Sequence, residues 1–304
     1  MRLRSLLISF VLAALLVLPQ SASARIRVVA TVPDLAAIAR QIGGDDIDVV
    51  SLSLPTQDPH WVDARPNLAL ALSRADLLLL LGLDMEVGWL PALQTGSRNA
   101  KVQTGGRGYL DCSTLVSLLQ VPTQRIDRSM GDIHPGGNPH YLVDPRRSIA
   151  VAHGIAARMG QLDPEHAGLF TQNAAAFEAE IQGKLPGWQA RMAPLQGAQL
   201  VGYHQSWPYL ADWLGFTMLT HVEPRPGVPP TPAHVARTLT TMRQSGVELI
   251  IQEEYHANRA TEQVAAKLGA TIVKLPGGTR FPEGQTYAGF IDRMVETLAP
   301  HVGG

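Results

Sequence analysis

Residues 26–54 read IRVVATVPDLAAIARQIGGDDIDVVSLSL, and this stretch decides the fold. Ile26 to Thr31 is a short, β-branched, apolar run. Asp34 to Ile42 carries a helical pattern, and Asp48 to Leu54 returns to a strand. A strand, a helix and a second strand within thirty residues make the unit of a parallel sheet with crossover helices. The pattern continues outward. Pro66 to Arg74 predicts a helix opened by proline, and Ala75 to Leu81 (ADLLLLL) a strand buried on both faces. It restarts past the middle of the chain. Strands are predicted at Gln199–Tyr203, Thr217–Val222, Val247–Gln252 and Thr271–Leu275. Helices are predicted at Trp207–Leu214, Pro232–Gln244, Asn258–Leu268 and Gln285–His301.

Two α/β lobes are therefore expected, each with a parallel sheet and flanking helices. Between them, Pro164 to Met192 places Phe170, Ala174, Phe177, Ile181, Leu185, Trp188 and Met192 on one helical face. Such a helix is long enough to act as a strut across both lobes, with Pro186-Gly187 expected to kink or interrupt it. The first 24 residues have a basic start, an apolar run from Leu6 to Leu18 and an Ala-Ser-Ala end, the layout of a cleavable secretory signal. The expected organisation is a signal at 1–24, an N-terminal lobe at 25–163, a linking helix at 164–192 and a C-terminal lobe at 193–304. Periplasmic export fits best, and a monomer is the default for this architecture.

Composition narrows the chemistry. Of 304 residues, 25 are Lys or Arg and 26 are Asp or Glu, a formal net charge of -1 with no footprint for nucleic acid. One cysteine, Cys112, excludes an intrachain disulfide framework and a Cys-rich metal site. Ten histidines remain as the ligating residues of interest. His60 follows a predicted strand in Asp58-Pro-His60, His140 stands in Asn138-Pro-His140, and His204 follows the strand at 199–203. Ligands of open α/β sheets bind beyond the carboxyl ends of strands. Asp58 and Asp63 near His60, and Asp144 after His140, are candidate partners for the second ring nitrogen. The other seven histidines read as surface or packing residues, with His134 and His256 nearest to exceptions.

The segments VVATVPDLAAIARQIGGDDIDVVSL, DPHWVD, NPHYLVDP, VGYHQSWPYLADWLGF and QEEYHANRATEQVAAKLGATIVKL resemble the periplasmic solute-binding proteins of zinc and manganese ABC importers. The resemblance implies two α/β lobes joined by a rigid long helix, with metal in the interlobe cleft. It implies that His60 and His140 from the first lobe and His204 from the second are ligands, and that the partner is an ABC transporter membrane permease. Family members commonly add an acid just after the last C-lobe strand. Here that stretch, Val273 to Thr279, has none. Glu253, at the end of its predicted strand, is the favoured fourth ligand, with Glu254, Glu223 or water as alternatives. The loop before His140 holds only His134, where zinc-specific relatives often carry many histidines. Three imidazoles suit Zn²⁺, and Mn²⁺, which prefers more oxygen, is the second choice. The competing reading is an exported zinc hydrolase with an open water position. It is disfavoured by the absence of His-Glu-x-x-His and Gly-x-Ser-x-Gly motifs.

Overall fold

The computed structural model describes residues 25–124, 134–256 and 259–303. The predicted signal at 1–24 lies outside the described residues. Two four-stranded sheets, all parallel, form the frame. The first contains β1 (Ile26–Ala30), β2 (Ile47–Ser51), β3 (Leu77–Leu80) and β4 (Tyr109–Asp111) in the order β2-β1-β3-β4. The second repeats this arrangement with β5 (Gln199–Gly202), β6 (Thr217–His221), β7 (Leu249–Glu253) and β8 (Thr271–Leu275), ordered β6-β5-β7-β8. In each sheet the chain leaves its first strand toward one side and later returns to the other. The loops after β1 and β3, and after β5 and β7, therefore border a topological switch point.

The crossover helices are α1 (Pro33–Gly43), α2 (Pro66–Arg74) and α3 (Leu90–Ser97) in the first lobe, and α6 (Pro208–Leu214), α7 (Pro232–Ser245) and α8 (Arg259–Leu268) in the second. Proline stands at the start of five of these six, where its missing N–H costs no helical bond. All four leucines of β3 are buried, as a strand covered on both faces requires. The short α3 and three-residue β4 do not stand out in the sequence pattern.

The linking segment is α5 (Ala167–Met192), a helix of 26 residues. It begins three residues later than expected and runs through Pro186 without interruption. Pro186 is exposed, and so is Gln182, whose carbonyl loses its helical donor to the proline ring. The predicted apolar face is the buried one: Phe170, Ala174, Phe177, Ile181, Trp188 and Met192 are buried and Leu185 packs against them. In its first half Asn173 donates to the Ile42 carbonyl at 2.8 Å, and at its middle Glu180 accepts from Gln41 at 3.1 Å. Along its second half Trp188 and Lys184 bind Asp292 of the C-terminal helix α9 (Tyr287–Leu298) at 2.7 and 2.8 Å. One helix thus grips α1 of the first lobe and α9 of the second. A further helix, α4 (Pro145–Leu162), packs along α5 and is capped by Asp144, whose side chain accepts from the Arg146 amide. Among the described residues, no helix is long and apolar enough to cross a membrane.

Candidate metal centre

His60 stands in the loop between β2 and α2, His140 in the connection between β4 and α4, and His204 two residues past β5. One ring nitrogen from each lies within 4.8 Å of one from each of the others, the group so placed among the described residues. Ring centroids are 5.3 Å apart for His60 and His204, 5.4 Å for His140 and His204, and 5.5 Å for His60 and His140. A tetrahedral zinc with Zn–N distances near 2.0–2.1 Å needs its nitrogens about 3.4 Å apart. Small side-chain rotations separate the observed set from that arrangement.

The same local device aims the two histidines of the first lobe. Asp58 Oδ1 accepts from the His60 backbone N–H at 3.0 Å and from ring Nδ1 at 2.7 Å. Asn138 Oδ1 accepts from the His140 backbone N–H and ring Nδ1, both at 3.0 Å. Proline between the two residues fixes the backbone, so the oxygen two positions ahead clamps both groups. Nδ1–H is committed, which directs Nε2 to the cleft. In the second lobe, Glu223 Oε2 holds His204 Nδ1 at 2.6 Å, and Glu223 Oε1 accepts from the Gly227 amide at 2.9 Å. Asn138 also donates to the Gln205 carbonyl at 2.7 Å. One amide side chain therefore orients His140 and fastens the residue after His204 across the seam.

Several expected partners fall elsewhere. Asp63 pairs with Arg65 at the surface and does not touch His60. Asp144 caps α4 and is bound by Arg146 and Arg147, so Asn138 takes the part expected of it beside His140. Glu223 supports His204. Glu253 ends β7 as predicted and is 3% exposed, yet it is not in the group of three. Its Oε2 has no hydrogen-bond partner among the described residues and lies 3.8 Å from His256 Nε2. Glu254 is tied by its amide to the Leu275 carbonyl, 2.9 Å away.

His134 is the residue that sequence reasoning undervalued. Its Nδ1 donates to the Leu83 carbonyl at 2.6 Å, and its Nε2 faces His60 Nε2 at 3.3 Å. Because a carbonyl and a carboxylate only accept, both rings carry a proton on Nδ1, which turns their Nε2 atoms toward each other. His140 Nε2 is buried with no partner among the described residues, which leaves an acceptor costing about 1–3 kcal/mol until something binds it. Electrostatics point the same way. Burial and then the neighbouring His60 bring His134 down to about 4, and burial with the surrounding rings holds His140 well below its ordinary value. Burial raises Asp58, but the ring and amide of His60 outweigh it and bring the carboxylate to about 2. Burial pushes Glu223 and Glu253 up to about 7. The site is thus a cluster of imidazoles held on their Nδ1 side by acceptors, with His134 and His140 biased toward the neutral form that binds a borderline transition-metal cation. On one side it opens to a polar chamber lined by Asp58, Trp61, Tyr203, Glu223 and His256.

Residues 28–300 match the family described as ZnuA, zinc-uptake complex component A, periplasmic. The chain belongs to that family. It is 26% identical to the high-affinity zinc uptake system protein ZnuA of Paracoccus denitrificans over 91% of this chain and 92% of that one. It is 24% identical to the manganese ABC transporter substrate-binding lipoprotein PsaA of Streptococcus pneumoniae, over 81% and 77% of the two chains. A crystal structure of ZnuA superposes with a TM-score of 0.72 at 21% identity, covering 91% of this chain and 98% of the other. The paired sheets and long helix are the fold of these solute-binding proteins. The chain is a metal-binding receptor of the ABC-importer type and not an enzyme, which removes the hydrolase reading.

Proposed function

We propose that this chain captures Zn²⁺ in the periplasm, with His60, His140 and His204 as ligands, and passes it to the membrane permease of an ABC importer. The convergence of three clamped imidazoles carries this reading. An all-nitrogen set matches tetrahedral zinc, whereas manganese favours carboxylate and carbonyl oxygen. The manganese alternative rests on the relatives named for it and on Glu253, a buried carboxylate whose Oε2 has no hydrogen-bond partner among the described residues. Export relies on the signal read at residues 1–24.

The fourth position goes to Glu253 in the reading that follows the sequence. The orphaned Oε2 at the end of β7 supports it, since a buried carboxylate gains most from a cation. A second reading assigns it to His134, whose Nε2 already stands 3.3 Å from that of His60. Metal content and Zn²⁺ titration of the mature protein test the whole proposal. One zinc per chain is expected, with affinity falling at least about a hundredfold in His140→Ala, since a ligand matters more than the outer groups worth 10–100-fold. Equal binding by that variant overturns it. Glu253→Gln and His134→Ala, measured side by side, assign the fourth position to whichever loses more.

A further inference from the structure

The segment from Leu81 to Trp89 leaves β3 at the switch point of the first sheet and touches the parts of that lobe that carry His60, His134 and His140. The Leu83 carbonyl holds His134 Nδ1 at 2.6 Å. The Trp89 indole N–H donates to the Pro59 carbonyl, next to His60, at 2.9 Å. The Leu81 carbonyl accepts from the hydroxyl of Tyr141, next to His140, at 2.8 Å. The segment is also strained. Leu83 and Asp84 sit at φ 55° and 62°, in the left-handed region that residues with a Cβ avoid. A loop in that conformation needs something to hold it.

Glu86 supplies the hold. It is 3% exposed, and its carboxylate faces back into the loop. Oε1 accepts from the Thr31 hydroxyl at 2.6 Å and the Leu81 amide at 2.7 Å, and Oε2 accepts from the Gly82 amide at 3.2 Å. It joins the end of β1 to the end of β3 and fixes the two residues before Leu83. Its own carbonyl receives the amides of Trp89 and Leu90 at the start of α3. Nothing in the metal chemistry described above uses this residue.

We propose that Glu86 is a positioning residue of the metal centre, setting through the loop it pins where His60, His134 and His140 stand relative to one another. The inference rests on the metal-binding reading of those histidines. A carboxylate is required because both oxygens must accept. In a glutamine the amide NH₂ would face either the Gly82 N–H or the Leu81 N–H, donor against donor, and the loop would slacken beside Leu83.

The test is Glu86→Gln in the full mature chain, beside His140→Ala. Three quantities are read: Zn²⁺ affinity by chelator competition, the visible absorption of bound Co²⁺ as a reporter of ligand geometry, and the melting temperature without metal. The expected result is a loss of about tenfold or more in Zn²⁺ affinity, the range of outer groups that orient ligands, with a shifted or weakened Co²⁺ band. A residue that only supports the fold would lower the melting temperature and leave the Co²⁺ band alone. Wild-type affinity and band in Glu86→Gln, with binding lost in His140→Ala, overturn the proposal and leave the site intact. Unchanged binding in His140→Ala overturns the site, and the proposal with it. If Glu86→Gln does not fold, Thr31→Val decides. It removes one donor to Glu86 in a similar volume, and a several-fold loss supports the proposal while wild-type behaviour overturns it.

Discussion

At the scale of the residue, an oxygen two positions ahead of a histidine decides where its ring points. Asp58 and Asn138 perform this for His60 and His140 through the same backbone turn. Asp58→Ala and Asn138→Ala are each expected to weaken zinc about 10–100-fold, as loss of groups that orient metal-bound imidazoles does. Asn138→Ala should be the more severe because Asn138 also holds Gln205 across the cleft. Titration of both variants ranks them. Burial has a second consequence. A ring with a lowered pKa stays unprotonated until the pH falls to that value, so protons compete with metal later. Three ordinary histidines near 6.5 would cost about a thousandfold in affinity between pH 7.5 and 5.5. With His140 held well below that value, the loss should be smaller by about tenfold, the share of one ordinary ring; Zn²⁺ competition at the two pH values measures it. The two Pro-His turns and the strand-end histidine were legible because their signals are local. His134 was not, because its contacts reach back to Leu83 and His60, and no spacing rule marks them. Asp144 was misread for the opposite reason: it lies close to His140 in sequence, but its local duty is to cap a helix.

At the scale of the element, the long helix works by what each half holds. Asn173 and Glu180 bind α1, while Lys184 and Trp188 bind Asp292 on α9. Trp188 is 3% exposed, so its indole N–H depends on that carboxylate. Asp292→Ala is expected to cost about 1–2 kcal/mol, the penalty of a buried donor left without an acceptor. Because the partners of Asp292 are Lys184 and Trp188 on α5 and not the histidines, zinc affinity should stay at the wild-type value; thermal melting and titration of the one variant separate the two effects. The regular period of large apolar residues made α5 readable from sequence. Its partner α4 was not read, because its buried face includes Ser148, Ala152 and Ala156 beside Val151, Ile155 and Met159. Small residues let two helices approach closely, and they blur the apolar stripe that identifies a helix. The three residues of β4 offer no period at all.

At the scale of the whole molecule, the sequence announces two rounds of strand and helix but not the order in which the strands pair, since neighbours in a sheet are chosen by long-range contact. The shared order β2-β1-β3-β4 and β6-β5-β7-β8 turns both switch points toward a common cleft. His204 follows β5 and Glu253 ends β7, facing the loops of the first lobe. That cleft is fastened along its length. Asp34, at the start of α1, accepts from the amide and hydroxyl of Thr279 at 2.9 and 2.5 Å. The Tyr209 hydroxyl donates to the Asn138 carbonyl and the Tyr287 hydroxyl to the Leu142 carbonyl, each at 2.7 Å. These groups are buried, so opening the lobes would strand several donors and acceptors at once, and α5 would have to bend besides. Metal capture should therefore proceed by rotation of histidine side chains and shifts of their loops, with the lobes fixed. Small-angle scattering profiles of metal-free and zinc-loaded protein are expected to superimpose, while hydrogen exchange slows in the loops around His60 and His134. A measurable compaction on adding zinc would show that the seam opens, and that the polar contacts across it form only when metal is bound.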